Sequence, residues 1–283
     1  MKRLIVTGDD FGLAEPVNEA IEIGHRDGIL TTASLMVGAP AAGDAVARAQ
    51  RLPNLAVGLH LVIAEGAPVL PPEQIPDLVD AEGAFYDHLL HAALRFFFLP
   101  GARRQLETEI RAQFDAFRAT GLPLDHVNAH NHMHLHPTVL GILLRVARNY
   151  GNPPVRVPRE NPRAPRWGPL RQRIPQALGN LALSPWLALL RLRLRRHGIR
   201  SNDWVLGLHQ TGAMNEETVL RLLEHLPEGT TEMYFHAATR RCPEIDLHTP
   251  GYEHEAELRA LTSRRVREAL EGQETLAGCF REI

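Results

Sequence analysis

Short apolar runs of strand character alternate along this chain with longer stretches of helical periodicity, and that alternation narrows the fold more than any other feature. The runs fall at residues 3–7, 32–37, 56–61, 126–129, 155–157, 204–208 and 232–235, each stopped by turn-forming or polar residues. Helical patterns lie between them at 16–26, 41–51, 103–120, 138–150 and 216–225, with another at 255–270. A repeating βα order requires a parallel sheet covered by helices. At 283 residues both an open doubly wound sheet and a closed (β/α) barrel satisfy it. The polar residues favour the barrel. Asp9, Asp10, His60, His130 and His236 each fall at or just past the end of an expected strand, the rim where barrel enzymes gather their reacting groups. The expectation is a single α/β domain over 1–283: a distorted barrel of about seven strands with insertions near 62–102 and 160–202.

Two insertions break the rhythm. The connection over 62–102 carries Pro71-Pro72 and Phe96-Phe97-Phe98 and reads as a lid or rim at the mouth of a site. Between Arg156 and Arg200 stand 11 arginines and one acid, Glu160, in a chain whose formal charge is only −2. Within that segment residues 175–190 are uncharged, but Pro175, Gly179 and Pro185 leave them too short and interrupted to span a bilayer. Such a segment fits a helix lying at an anionic membrane surface, a cover over the active site, or an insertion packed on the barrel.

The near-neutral charge, with a pI of about 6.7, removes the basic footprint of a nucleic-acid binder. Cys242 and Cys279 are too isolated for a disulfide framework or a thiolate metal site. No apolar leader precedes Asp9, so a cytoplasmic location is expected, with peripheral contact at the cytoplasmic membrane face through 160–200. The sequence leaves the oligomeric state open.

The chemistry rests on two distant clusters. Asp9-Asp10 follows the apolar run Leu4-Ile5-Val6, and the tract from His130 through His132 and His134 to His136 spaces imidazoles at alternate positions, which in extended chain share a face. A catalytic zinc-like centre needs three Asp, Glu or His ligands with one position left for water, and Asp10, His60 and His130 meet that need. Such ligands suit one divalent ion, zinc first, with Mg, Mn, Co or Ni also permitted. Asp9 is then the general base and His236 the general acid for the departing amine. Duller readings exist: an Asp pair after a strand often caps a turn, and His60 or His126 alone would read as a core histidine. Metal phosphohydrolases and amidohydrolases usually place a His-x-His pair after the first strand, where this chain has Asp9-Asp10. A non-catalytic barrel that binds metal or lipid is the rival from another class.

At Gly8-Asp9-Asp10-Phe11-Gly12, Gly58-Leu59-His60 and His126-Val127-Asn128-Ala129-His130-Asn131-His132-Met133-His134 the chain resembles the YdjC-like carbohydrate deacetylase family. The resemblance implies a TIM-like barrel and metal-dependent removal of an N-acetyl group from an amino sugar, with Asp9 as base, Asp10, His60 and His130 as ligands and His236 as acid. It also places Arg156 and Arg159 against the substrate or just behind the reacting groups, and Asn128, His132 and His134 are read as substrate-binding, with His134 and His136 otherwise lying behind the ligands. The chain departs from the family pattern at Asn128, Ala129 and Asn131, which stand for Asp, Ser and His, and at Ala237, which stands for proline. The 128–134 version together with the arginine-rich insertion looks like the hopanoid-biosynthesis branch. That implies an N-acetylglucosaminyl lipid as substrate.

Overall fold

The computed structural model describes residues 1–161, 170–273 and 275–283. Its centre is a parallel sheet of seven strands: β1 (Lys2–Phe11), β2 (Thr32–Leu35), β3 (Ala56–Leu61), β4 (Leu124–Ala129), β5 (Trp204–Leu206), β6 (Gly229–Phe235) and β7 (Thr275–Ala277). The strand order is β4-β3-β2-β1-β6-β5, and β7 pairs with Lys2, Arg3 and Leu4 of β1. Apart from β7 the strands are buried almost throughout, β2 and β3 completely, as expected where helices cover the outer face of a parallel sheet.

The sheet curls into a distorted TIM-like barrel, closed by single bridges instead of a continuous ladder. Val155 bridges Val127 of β4, and Glu160 bridges Val205 of β5. A strand was expected at 155–157, but Pro153, Pro154 and Pro158 flank that position and cannot donate to a ladder. The segment therefore spans the gap without becoming a strand. β7 was not expected, because three residues carry too little pattern to mark a strand.

The described helices are α1 (Glu15–Arg26), α2 (Ala42–Gln50), α3 (Leu89–Phe98), α4 (Pro100–Ala119), α5 (Pro137–Val146), α6 (Leu170–Arg196), α7 (Glu216–Leu223), α8 (Pro243–His248), α9 (His254–Thr262) and α10 (Arg264–Glu271). The single helix expected over 255–270 is split at Ser263, whose hydroxyl accepts from Val266 N and caps α10. The connection from β3 to α4 is tied down by buried side chains of α4. Glu109 accepts from Val69 N and Leu70 N at 2.9 and 3.0 Å, and Gln113 bonds both backbone groups of Val62.

Part of the expected insertion, 162–169, lies outside the described residues. The rest of it is mostly α6, which buries Leu187, Leu190 and Leu194 against the barrel and fixes its approach by a Trp186 Nε1 bond to Leu135 O at 2.9 Å. Among its described residues Ile174, Leu178, Leu181, Leu189 and Leu192 are exposed apolar side chains. Among the described residues no helix is long and apolar enough to cross a membrane.

Candidate active site

Adjacent strand residues normally point to opposite faces, so an Asp-Asp pair cannot serve one site from a regular strand. β1 solves this with a bulge. Its pairing with β2 slips between Gly8 and Phe11, and Asp10 takes a left-handed φ of 60°. A bulge of this kind re-aims side chains at a strand end. Both carboxylates thereby turn into the barrel mouth and are buried, Asp9 at 2% and Asp10 at 3% exposure.

Asp10 meets two imidazoles. Its Oδ1 lies 3.3 Å from His60 Nε2 and 3.1 Å from His130 Nδ1, and one ligand atom from each of the three residues falls within 4.8 Å of the others. The tautomer of His60 is set by its neighbour. Asn128 Nδ2 donates to Asp9 Oδ1 (3.2 Å) and to Ser34 Oγ (2.9 Å), which turns its carbonyl oxygen toward His60 Nδ1 at 2.7 Å. A carbonyl can only accept, so His60 carries its proton on Nδ1 and presents the Nε2 lone pair to Asp10. Facing electron pairs repel each other and fit a divalent cation between them. The donor set of one carboxylate and two imidazoles suits zinc.

Asn128 thus does the orienting that a carboxylate often does for a ligand histidine. It also extends a buried chain downward: Ser34 Oγ meets His126 Nε2 at 3.0 Å, and His126 Nδ1 donates to Asp125 at 2.9 Å. Gly58 makes room for it, since a Cβ there would come within 2.3 Å of His126 Nδ1. His126 is structural. Asn128→Leu frees the His60 tautomer and is expected to weaken metal binding ten- to a hundredfold, about the loss typical of such partners, as read by titration of metal into stripped protein.

Asp9 is held from the opposite side. Arg156, completely buried, donates to Asp9 Oδ2 and Oδ1 at 2.6 and 2.9 Å and to Glu232 at 2.8 and 2.6 Å. Thr7 Oγ1 completes Glu232 at 2.7 Å. Burial alone would raise the Asp9 pKa, but the Arg156 charge outweighs it and holds the carboxyl well below its usual range. Arg156 was expected against the substrate or just behind the reacting groups; its guanidinium lies behind Asp9, bonded to it and to Glu232. Arg159 lies away from the cluster, half-buried with its guanidinium 4.3 Å from the Trp204 ring centre.

The histidine tract is not extended chain. Residues His130–Leu135 form a 3₁₀ turn in which Asn131 and His132 both have left-handed φ, 51° and 53°. The alternating imidazoles therefore do not share a face, and only His130 joins Asp10 and His60. His134 donates from Nε2 to Arg156 O at 3.0 Å, and burial pushes its pKa down to about 3. His132 approaches the Tyr234 hydroxyl at 3.5 Å, and burial lowers its pKa strongly. Asp10, Glu65, Asn131 and His132, four of the five left-handed non-glycines among the described residues, lie at this mouth. Glu65 accepts from Asn131 Nδ2 at 2.6 Å and so joins two of them. Backbone strain of this sort concentrates at functional sites.

His236 comes directly after β6, and its Nε2 lies 3.9 Å from Asp10 Oδ2. Burial lowers its pKa and favours the neutral ring. Its backbone N–H donates to Glu257 at 2.5 Å, and the same carboxyl accepts from Met214 N at 3.1 Å. Burial raises Glu257 to about 7. Sequence reasoning missed Glu232 and Glu257. The first had a signal, an acid inside a run that otherwise reads as buried strand; the second sits in an ordinary polar helix pattern and had none.

Beside His130 opens a cavity of about 350 Å³, lined on one side by apolar residues such as Leu13, Met36, Val62 and Leu247. The 62–102 connection forms part of its wall, as expected of a rim segment.

A family profile described as YdjC-like protein matches residues 3–272. The chain is 42% identical over 159 residues to a carbohydrate deacetylase of Brevibacillus brevis, a match covering 55% of this chain and 59% of that protein. It is 26% identical over 267 residues to a carbohydrate deacetylase of Thermoanaerobacter pseudethanolicus, covering 94% and 93% of the two chains. Among solved structures, an Enterococcus faecalis protein named for cellobiose-phosphate cleavage superposes with a TM-score of 0.78 at 26% identity, over 99% of this chain and 98% of that one. A lactam utilization protein of Thermus thermophilus shares the fold, with a TM-score of 0.51 at 15% identity over 98% and 100% of the chains.

Proposed function

Because the chain belongs to the YdjC-like family, we propose that it is a metal-dependent N-deacetylase, hydrolysing the acetamide of an N-acetylated amino sugar to the free amine and acetate. The observation that carries this reading is the convergence of Asp10, His60 and His130 within 4.8 Å, with Asp9 fixed beside them by Arg156. A divalent ion held by those three residues supplies Lewis acidity toward the acetamide carbonyl and lowers the pKa of water. Asp9, held in its ionised form by Arg156, accepts the proton of the attacking water. His236, its Nε2 3.9 Å from Asp10 Oδ2, acts in its protonated form, which the Asp10 and Asp9 charges favour against burial; its Nε2 proton passes to the departing nitrogen as the C–N bond breaks, while the water oxygen stays on the acetyl carbon as acetate. Arg156 keeps the base in place and Asn128 keeps the His60 lone pair inward. Zinc-loaded protein is expected to release acetate from octyl N-acetylglucosaminide; absence of acetate with zinc, magnesium, manganese, cobalt and nickel alike would overturn the reading.

The substrate is read as an N-acetylglucosaminyl lipid, a hopanoid glycolipid on the strength of the motif resemblance, met at the cytoplasmic membrane face. Exposed apolar residues on three elements support it: Leu247 (77%), which lines the cavity beside His130, and Leu90 (73%) and Phe98 (66%) on α3 and Leu181 (71%) on α6. The neighbouring Phe97 packs against His136, and α6 reaches Leu135, so both helices flank the histidine turn. Such a collar suits a substrate whose head enters a polar site while its tail stays in apolar surroundings. Replacing Leu178 and Leu181 by Gln is expected to cut turnover of a vesicle-borne glycolipid about tenfold or more, beyond any loss on the octyl glycoside. Equal loss on both makes the α6 face purely structural.

A further inference from the structure

We propose that the sugar accepted beside the metal ligands carries no phosphate or carboxylate, and that Asp87 and Glu244, with Glu65 and Asp80 behind them, exclude such anions. This rests on the deacetylase reading and adds a substrate class to it. The cavity that touches His130 has about 350 Å³ of space, within the range of ligand pockets and enough for a sugar ring with the start of its aglycone. Four carboxylates from three separate stretches of chain line it, and no Arg or Lys stands among its described lining residues. Glu65 is fixed there by its left-handed backbone and the Asn131 bond, and Asp80 by the turn N–H groups of Glu82 and Ala84. Asp87 and Glu244 are exposed at the opening.

The chain does not lack arginine; it keeps it elsewhere. Arg103, Arg104 and Arg145 line a separate cavity of about 560 Å³ on α4 and α5. Recognition of a sugar phosphate calls for guanidinium or ammonium donors, whereas a pocket of like charge repels the dianion by several interactions at once. The same carboxylates attract the ammonium that deacetylation leaves on the sugar. The amine product is therefore held by an interaction that salt weakens.

The test compares octyl N-acetylglucosaminide with its 6-phosphate on the zinc-loaded full chain. The expected kcat/KM ratio favours the neutral glycoside by about thirtyfold or more, and the double variant Asp87→Asn, Glu244→Gln lowers that ratio about fivefold or more. In calorimetric titration of metal-free protein, octyl glucosaminide is expected to bind more tightly than the 6-phosphate, with an affinity that falls from about 50 to about 500 mM salt as the screening length shortens. Equal use of both glycosides, or a ratio untouched by the double variant, overturns the exclusion and leaves the deacetylase standing. Turnover of neither overturns the deacetylase, and this inference with it.

Discussion

Asp9→Asn is expected to slow deacetylation by about a hundredfold to ten-thousandfold, the usual loss for a positioned general base, while the protein still takes up its metal. Asparagine keeps the shape of the side chain, and its carbonyl can still accept one of the two Arg156 bonds now made at 2.6 and 2.9 Å. What it cannot do is take a proton from water. The side chains of Asp10, His60 and His130 keep their mutual contacts, and the link from residue 9 through Asn128 to His60 survives because the new carbonyl can still accept from Asn128 Nδ2. Asp10→Ala has the opposite signature, since it removes the carboxylate that both imidazoles face and should lower bound metal itself in elemental analysis. Near-normal turnover by Asp9→Asn removes Asp9 from the base role. Full metal stoichiometry in Asp10→Ala shows that the ion is held by other groups.

The two substitutions act on adjacent residues, and their separate roles trace to a feature that sequence does not display. The residue types were legible: two carboxylates closing an apolar run, and imidazoles at the ends of other runs. The bulge that turns both carboxylates the same way was not, because a left-handed Asp leaves no mark that distinguishes it from an ordinary turn Asp. The same limit explains the histidine tract. Alternation suggested a shared face, but Asn131 and His132 adopt left-handed backbone and coil the segment into a turn, so His130 alone faces Asp10.

The barrel itself was legible from rhythm, since six of the seven expected runs coincide with strands. The seventh fails where prolines withhold N–H donors, and proline was visible in the sequence. Arg156 is the instructive residue. In an arginine-rich stretch nothing separates the completely buried Arg156 from Arg195, Arg196 and Arg200, which are exposed, because its partner Glu232 stands 76 positions away.

That partner sets the largest stability effect. Arg156→Met is expected to destabilise the fold by about 3–5 kcal/mol, the typical result of removing one member of a buried ion pair, and to abolish most activity by releasing Asp9. The sign of its pH dependence is set by Asp9. In the wild type burial would raise that pKa but Arg156 draws it below the usual value, so the carboxylate contributes stability above about pH 4 that is lost as pH falls further. Without the guanidinium, burial is opposed only by the pull of His60 and His236, and the folded state shifts toward the neutral acid. The variant is then most destabilised at neutral pH and recovers relative to wild type as acid protonates Asp9. The gap between their Tm values should accordingly narrow from pH 7 to pH 4. Arg156→Lys separates charge from geometry: a single ammonium keeps attraction but cannot fork to both carboxylates, so it should retain more stability than Met while activity stays low. A gap that is constant between pH 7 and pH 4 would mean that lost packing, not the lost charge on Asp9, accounts for the damage.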